Sequence, residues 1–233
     1  MTVNVDSPQF RIAAARRILA NAGCESMVAG HVSERSGPDA FWISPFEYFD
    51  ETRPERIIEV GFDMVVRSGS WEASPAVQFH AAIYEQRPDV SAIVHTHSTY
   101  ISALTTKQEP IQAYNIVAAP FVGKQALYFE DGEQPPVEGK LVAAALAERD
   151  ALLISNHGVI LVGASLEEAT MHAVLIEQAA RHQLEATAVG GRTLPDGAIE
   201  RRADFFRREG VHALWNACLD RLPRTDPDLF ALA

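Results

Sequence analysis

The order of apolar patterns along this chain limits it to a mixed α/β architecture. Short apolar runs typical of buried strands alternate with longer segments whose apolar residues recur at helical spacing. The strand-like runs lie at 27–35, 40–45, 63–69, 91–97, 151–156 and 158–163. Helical patterns begin at Pro8, Pro75, Ser98 and Ser165, and others cover 53–60, 138–148 and 197–221. This interleaving predicts helices covering a sheet, in a single domain over residues 1–233 with a core of about 8–220.

Two of the helix starts carry capping signals. Ser7 precedes Pro8, which predicts an N-cap followed by proline at the first helical position. Ser165 stands three residues before Glu168, which is the spacing of a capping box. Residues 107–138 are rich in Pro, Gln and Gly, and we expect a long loop with short elements there.

The charge balance excludes several classes of partner. The 233 residues include 20 Lys and Arg against 31 Asp and Glu, which gives a formal net charge of −11 and a pI near 5.2. Binding to nucleic acid or to an anionic membrane surface relies on basic patches, so we expect neither partner. The chain is 47% hydrophobic, which is enough to bury a sizeable core.

The cysteines and the first residues indicate a cytoplasmic protein. Cys24 and Cys218 are too few and too far apart for a disulfide framework, which is typical of free thiols in a reducing compartment. The opening MTVNVDSPQF lacks the basic and apolar regions of a secretory signal. No run approaches the 18 apolar residues of a spanning helix.

Histidines supply the main functional signal, because three of the eight stand in or between apolar runs. His95 and His97 flank Thr96, and since side chains alternate along a strand, both imidazoles face the same way. His157 stands in a turn-prone segment between two apolar runs. Imidazole is a good ligand for zinc and other transition metals, and catalytic zinc sites commonly have three protein ligands. Half-buried histidines and a polar turn residue would give the same pattern, so both interpretations stay open here.

Longer segments around these histidines resemble the signature of the class II aldolase/adducin family. The segments 79–84 and 87–97 match around the first two histidines, and the segment 155–169 matches around the third. Residues 30–35 match as well. The similarity runs in order from about residue 8 to about residue 220, which is nearly the whole chain.

The resemblance implies a fold, a metal and an assembly. The fold is a three-layer α/β/α arrangement with a central, mostly antiparallel sheet. One divalent metal ion (zinc, manganese or iron) would be held by His95, His97 and His157. Members of the family are typically homotetramers of fourfold symmetry with active sites at subunit interfaces, and the resemblance implies the same here.

The sequence departs from the sugar-phosphate aldolases of this family where they bind phosphate. Their Ser-Ser-Glu run is replaced by Ser-Pro-Ala at 74–76, so the glutamate that contacts the metal or shuttles a proton is Ala76 here. Phe46 and Glu47 replace a small hydroxyl–glycine pair, substituting bulk and negative charge for a phosphate cradle. His31 replaces an asparagine. We therefore expect a non-phosphorylated substrate and the adducin-like and decarboxylase branch of the family.

Four residues are candidates for proton transfer: His31, His80, Glu72 and Tyr114. His31 is the first choice, because it occupies the substrate-facing position of the family asparagine. His80 would equally suit a core histidine bonded to a backbone carbonyl, and Glu72 would equally suit an exposed charge. Tyr114 lies in the long loop, which in related aldolases brings a phenol to the site.

Three further residues are candidates for substrate binding: Arg35, Ser74 and Phe46. Arg35 would pair with a substrate carboxylate or, alternatively, form a structural ion pair. The remaining histidines lie in helical patterns without metal-ligand spacing, and we expect structural roles for them: His172, His182 and His212.

Three functions fit these residues. The first is a metal-dependent carbon–carbon lyase, a decarboxylase or aldolase, acting on a small carboxylate-bearing keto, hydroxy or aromatic acid through a metal-stabilised enolate. Decarboxylation needs no base at the outset, so Ala76 is compatible with it. The second is a non-heme iron oxygenase of an arylpyruvate-type substrate using the same three histidines. The third is a non-catalytic adducin-like binding module, which would not need three ligand histidines.

Overall fold

An eight-stranded sheet forms the centre of the computed structural model, which describes residues 4–74, 77–129 and 139–231. The strands are β1 (His31–Arg35), β2 (Ala40–Ile43), β3 (Ile58–Gly61), β4 (Val66–Ser68), β5 (Ala92–Thr96), β6 (Gln125–Tyr128), β7 (Ala151–Ile154) and β8 (Gly158–Gly163). Their order is β4-β3-β2-β1-β5-β8-β7-β6. Neighbours are antiparallel except for the parallel pair β6–β7, which confirms the predicted mostly antiparallel sheet.

Helices flank the sheet. They are α1 (Pro8–Asn21), α2 (Gln78–Gln86), α3 (Thr99–Thr105), α4 (Gly139–Leu146), α5 (Leu166–Ala188), α6 (Asp196–Phe205), α7 (Val211–Leu219) and α8 (Leu222–Thr225). Short 3-10 turns lie at Phe49–Glu51, Pro54–Arg56, Ile116–Phe121 and Pro227–Phe230. Within the three described ranges, no helix has both the length and the apolar character needed to cross a membrane.

Alternation along the central strands divides the core into two layers. In β5, Ala92 and Val94 belong to the apolar cluster of α1 and α5, whereas Ile93 belongs to that of α2 and α4. The same alternation holds in β8, where Val159 and Leu161 face the first cluster and Ile160 and Val162 face the second. Because side chains alternate, His95 shares the α2 and α4 face of the sheet with Ile93. The predicted three-layer α/β/α architecture is confirmed.

Both predicted helix caps are present. The Ser7 hydroxyl accepts a hydrogen bond from the Phe10 amide at 3.2 Å, with Pro8 opening α1. The Ser165 hydroxyl accepts from the Glu168 amide at 3.2 Å. In return, the Glu168 carboxylate accepts from the Ala164 amide at 2.7 Å, one residue earlier than in the usual capping box.

The C-terminal segment differs from the single helix predicted over 197–221. A π-helical turn, Phe206–Gly210, separates α6 from α7. A π turn carries more residues per turn than an α-helix, so it shifts which residues share a face. Phe206, Val211 and Trp215 are thereby all buried in the core, whereas Phe205 is about half exposed. Burial of these side chains accounts for the wider turn.

Some predicted strands and helices are shorter than their sequence patterns. Strand β1 begins at His31, four residues later than predicted, and Met27 itself has a φ of 51°, outside the extended conformation. The run 63–69 contributes only the edge strand β4, and the pattern over 53–60 gives one 3-10 turn followed by β3. The expected helix start at Pro75 lies outside the described residues, as does the part of the long loop from 130 to 138.

Replacing Ser165 by alanine should lower the free energy of unfolding by about 1 kcal/mol, because the Glu168 amide loses its side-chain acceptor. Urea unfolding followed by circular dichroism measures this change. Ser165→Asn is the matched control, since asparagine restores a cap oxygen. If both variants lost the same free energy of unfolding, the side-chain oxygen at the cap would make no measurable contribution to stability.

Candidate functional site

Three imidazoles converge where β5 ends and β8 begins. His95 is on β5, His97 follows that strand, and His157 precedes β8. The Nε2 atoms of His95 and His97 are 2.8 Å apart, as are those of His97 and His157. All three ligand atoms lie within 4.8 Å of one another. We call these residues the histidine cluster. The structure therefore brings together the three predicted ligands, although 60 residues separate His97 from His157.

The donor set of the histidine cluster fits a divalent metal ion. His95 Nδ1 lies 2.9 Å from the Val159 carbonyl oxygen, which can only accept, so Nδ1 carries the proton. The Nε2 lone pair of His95 then faces the other two rings. Two nitrogens bound to one zinc ion in tetrahedral geometry lie about 3.4 Å apart, which is within the spread of the cluster. A cation between the rings offsets the mutual repulsion of such lone pairs.

Hydrogen bonds from neighbouring segments hold the ligands in place. The His97 amide donates to the Ser26 hydroxyl at 2.6 Å. The Ser102 hydroxyl, on α3, donates to the His157 carbonyl at 2.8 Å. Asn156 turns the chain into His157 with a φ of 56°, a conformation that asparagine adopts more readily than most residues. The cluster is therefore fixed from α3 and from the segment that precedes β1.

Burial keeps two ligands of the cluster, His95 and His97, neutral. It holds the pKa of His95 well below its ordinary value, and the neighbouring histidines lower that pKa further. The pKa of His97 is lowered to about 4, first by burial and then by His157. A metal ion binds only unprotonated imidazole, so these shifts preserve the ligand form.

His31 and His80 lie beside the cluster, as the sequence predicted. His31 pairs in register with His95 across β1 and β5, and their rings are 5.8 Å apart between centroids. The His80 ring, on α2, is 5.5 Å from the ring of His31. Both are almost fully buried, and burial holds the pKa of each well below its ordinary value. Their catalytic roles stay a prediction.

Arg16, which the sequence reasoning missed, ties the residue before His31 to the loop that follows β2. Its guanidinium is fully buried against the ring of Phe49 and donates to the carbonyl of Gly30, directly before His31. It also donates to the Ser44 hydroxyl and to the carbonyls of Pro45 and Glu47. We call residues 44–47 the clamped loop. Burial lowers the pKa of Arg16 to about 9, so it stays charged at neutral pH.

The clamped loop carries Phe46 but not the exposed negative charge expected at Glu47. The Glu47 carboxylate is buried and lies 2.5 Å from the Arg56 guanidinium, which neutralises it. Arg56 in turn lies 5.0 Å from the ring centroid of Trp71. Phe46 is 51% exposed, so its bulk stands at the surface of the loop. The ion pair removes the free negative charge expected at Glu47, whereas the steric exclusion of phosphate by Phe46 stays a prediction.

Arg35 is not brought to the histidine cluster. It lies at the opposite end of β1 from His31, where its guanidinium donates to the carbonyls of Tyr84, Arg87 and Val90. The guanidinium also lies over the Tyr84 ring, 4.8 Å from its centroid. These bonds to main-chain carbonyls give Arg35 a structural role, and they replace the ion pair that the sequence offered as the alternative.

The other predicted site residues occupy the surrounding loops. Glu72 is exposed and Ser74 is buried in the segment before α2. Tyr114 is half-buried in the segment between α3 and β6, where the neighbouring Gln112 amide donates to the Gln183 side chain of α5 at 2.8 Å. Ala76, the position of the missing family glutamate, lies outside the described residues. Roles for these residues stay predictions.

The chain belongs to the family described as Class II Aldolase and Adducin N-terminal domain, whose model matches residues 10–184. The matched stretch contains the whole histidine cluster. Among solved structures, the L-fuculose 1-phosphate aldolase from Glaciozyma antarctica PI12 is 26% identical with a TM-score of 0.86. That match covers 97% of this chain and 92% of the other.

Two relatives from Streptomyces are named as a decarboxylase and as an oxygenase rather than as aldolases. The Decarboxylase NovR from Streptomyces niveus is 28% identical over 90% of this chain and 80% of its own. The 4-hydroxy-3-prenylphenylpyruvate oxygenase/4-hydroxy-3-prenylbenzoate synthase from Streptomyces roseochromogenus subsp. oscitans is 29% identical over 97% of this chain and 85% of its own. The family, its aldolase and decarboxylase members and the histidine cluster together support a metal-dependent lyase.

Replacing Gly158 by alanine should weaken metal binding by about tenfold or more, as expected for a disturbed neighbour of the ligands. A Cβ at this position would collide with the Thr96 carbonyl and stand 3.0 Å from the ring carbon Cδ2 of His97. Titration of the metal-free protein with zinc against a competing chelator measures the affinity. Gly37→Ala is the control, since a Cβ there meets open space. Unchanged affinity in Gly158→Ala would contradict the tight fit at the cluster.

Proposed function

We propose that this protein is a metal-dependent decarboxylase of a small, non-phosphorylated acid that carries a keto, hydroxy or aromatic group. The observation that carries the proposal is the convergence of three imidazole nitrogens within 4.8 Å in a chain of this family. His95, His97 and His157 would hold the ion. The ion, when bound, would supply a Lewis acid that polarises a substrate oxygen and stabilises the negative charge developed as the carbon–carbon bond breaks.

Decarboxylation is preferred to aldol cleavage because of the groups available for proton transfer. In decarboxylation the carboxyl carbon leaves as carbon dioxide, its bonding electron pair remains with the substrate, and a proton is then added to the substrate carbon. Aldol cleavage first requires a base to remove a hydroxyl proton, and the family glutamate is replaced by Ala76. His31 and His80, which lie beside the cluster, are both neutral and buried.

We assign a direct contact with the substrate to His31, which stays our first candidate for proton transfer. It shares the sheet face of His95, in register with it, and neither of its ring nitrogens has a hydrogen-bond partner among the described residues. An unpartnered polar group in a buried site is free to bind substrate. Glu72 and Tyr114 are the remaining candidates, and they lie on loops that a substrate or a neighbouring subunit would contact.

The clamped loop favours a substrate without phosphate. Phe46 presents an aromatic ring where small hydroxyl residues and free amides would be needed to cradle a phosphate. Phe46 and Ser74 are our candidates for contact with the substrate. An apolar or aromatic body on the acid would pack against Phe46 while its oxygens face the histidine cluster.

The identity of the ion, the assembly and the compartment stay predictions from the sequence. Zinc, manganese and iron all accept three imidazole ligands. A homotetramer with interface sites, a cytoplasmic location and the absence of nucleic-acid and membrane partners follow from the resemblance and the composition.

Replacing His157 by alanine should reduce both bound metal and turnover by more than about a hundredfold, because a direct ligand matters more than its neighbours. Elemental analysis of purified protein and carbon dioxide release from a panel of 2-oxo and hydroxy acids measure the two quantities. His212→Ala is the control, since His212 is an exposed histidine on α7. Full turnover in a metal-free His157→Ala protein would refute the proposal.

A second candidate function is a non-heme iron oxygenase of an arylpyruvate-type acid. It is favoured by the similarity to the Streptomyces roseochromogenus oxygenase over 97% of this chain. The same panel, assayed with and without oxygen, separates the two functions. Carbon dioxide release that persists anaerobically supports the decarboxylase, whereas release that requires oxygen and iron supports the oxygenase. A protein that binds no metal would instead favour an adducin-like binding module.

A further inference from the structure

A buried line of three polar groups connects α2 to β1 beneath the candidate site. The Ser33 hydroxyl lies 2.7 Å from His80 Nδ1 and 2.8 Å from the Tyr84 hydroxyl. All three side chains are nearly or completely inaccessible to solvent. We call Tyr84, Ser33 and His80 the donor chain. In each of its two hydrogen bonds, the donor can be identified from the other partners that the two atoms have.

Tyr84 must start the donor chain. Burial raises the pKa of its phenol, so the hydroxyl keeps its proton. Among the described residues, the Ser33 oxygen is the only hydrogen-bond partner of this hydroxyl. A phenol proton pointing elsewhere would be buried without an acceptor, which is unfavourable. Tyr84 therefore donates to Ser33.

Ser33 then passes the direction on to His80. Its hydroxyl has one proton, and with Tyr84 donating to its oxygen, that proton is directed to His80 Nδ1. His80 Nδ1 thus accepts, and in a neutral imidazole the proton must then be on Nε2. If His80 Nδ1 instead donated to Ser33 and Ser33 to Tyr84, two buried groups would lack a partner, the Tyr84 hydroxyl proton and His80 Nε2. With Tyr84 donating to Ser33, only His80 Nε2 lacks one.

The remaining donor, His80 Nε2, has no acceptor among the described residues and is completely buried. The ring is stacked on Phe79 at 4.3 Å between centroids, and the His31 ring lies 5.5 Å from it and 5.8 Å from the ring of His95. Arg35 anchors the far end of the chain, since it donates to the Tyr84 carbonyl at 2.7 Å and lies over the Tyr84 ring.

We propose that Ser33 and Tyr84 are positioning residues that hold His80 in the Nε2–H tautomer, as a neutral hydrogen-bond donor to an anionic oxygen of the bound substrate. The carboxylate or enolate oxygen of the acid is the ligand class. This inference rests on the proposed function for its substrate, but the tautomer itself is a property of the protein alone. A neutral donor suits this place. It stabilises a substrate anion by a hydrogen bond, and it adds no positive charge that would repel the metal ion.

The tautomer is measured on the metal-free protein, so the result does not depend on activity. Long-range proton–nitrogen NMR on protein labelled with 15N-histidine distinguishes a protonated from an unprotonated ring nitrogen, and His80→Gln identifies the His80 signals. We expect a protonated Nε2 and an unprotonated Nδ1 in the wild type. Ser33→Ala should remove this preference, and Ser33→Thr, which keeps a hydroxyl, should restore it. A proton on Nδ1 in the wild type, or no change in Ser33→Ala, would overturn the inference.

Kinetics on the metal-loaded protein test the role of the donor chain. Ser33→Ala and Tyr84→Phe should each lower kcat by about tenfold, the cost of losing one ordinary hydrogen bond, with bound metal unchanged. Thr170→Val is the matched control, since it removes a buried hydroxyl that donates to a carbonyl within α5. An equal fall in the control, or lost metal in the variants, would contradict positioning by the chain. If the wild type turned over no acid, the proposed function would fail while the NMR result still decided the tautomer.

Discussion

The antiparallel register of β1, β5 and β8 is the constraint on which the rest of the structure depends. β5 lies between the other two, so that His95 pairs with His31 on one side and with Ile160 on the other. Any slip by one residue would turn His95 and Ile93 to the opposite face of the sheet. Such a slip would also force Ile93 into the layer packed around Ala92 and Val94, so close packing on both faces of β5 disfavours it. The position of the imidazoles is therefore enforced by the burial of aliphatic side chains that take no part in chemistry.

The candidate site combines strong desolvation with a deficit of local charge. The chain carries a net charge of −11, and the imidazoles of His31, His80, His95 and His97 are held neutral by burial. The buried positive charge of Arg16 is directed to main-chain carbonyls and the Ser44 hydroxyl, so an anionic substrate would still gain most from a cation held by the histidine cluster. Three neutral ligands leave a divalent ion its full charge, so the ion would act both as the reactive centre and as the positive group that retains the acid.

Much of the fold followed from the sequence because its signals are local. The alternation of apolar runs and helical patterns, Ser7 before Pro8 and Ser165 before Glu168 all depend on neighbours within a few residues. The π turn at Phe206–Gly210 could not be predicted, because it depends on which side chains the core must receive from α6 and α7. The positive φ of Met27, at the start of the predicted strand, likewise could not be predicted, because the residue type gives no signal for it.

In the candidate site, too, some features could be predicted from the sequence and others could not. The histidine cluster, His31 and His80 were found from residue type and family resemblance, whereas the surrounding contacts needed three-dimensional structure. A partial signal existed for Ser33, which is two residues from His31 and so shares its face of β1. Arg16 also gave a partial signal, because it is a basic residue within the apolar pattern of α1. For Arg35 the sequence signal was misleading. Its charge suggested a contact with the substrate, but its guanidinium donates to main-chain carbonyls.

The clamp formed by Arg16 has a consequence for the motions of the molecule. One guanidinium holds carbonyls from the residue before β1 and from the clamped loop, so neither segment can open without breaking bonds to the same group. Segments tied in this way open as one cooperative unit. Amide hydrogens flanking Gly30 and those of Ser44, Phe46 and Glu47 would then exchange with solvent at a shared rate, although 13 residues of chain lie between the two segments.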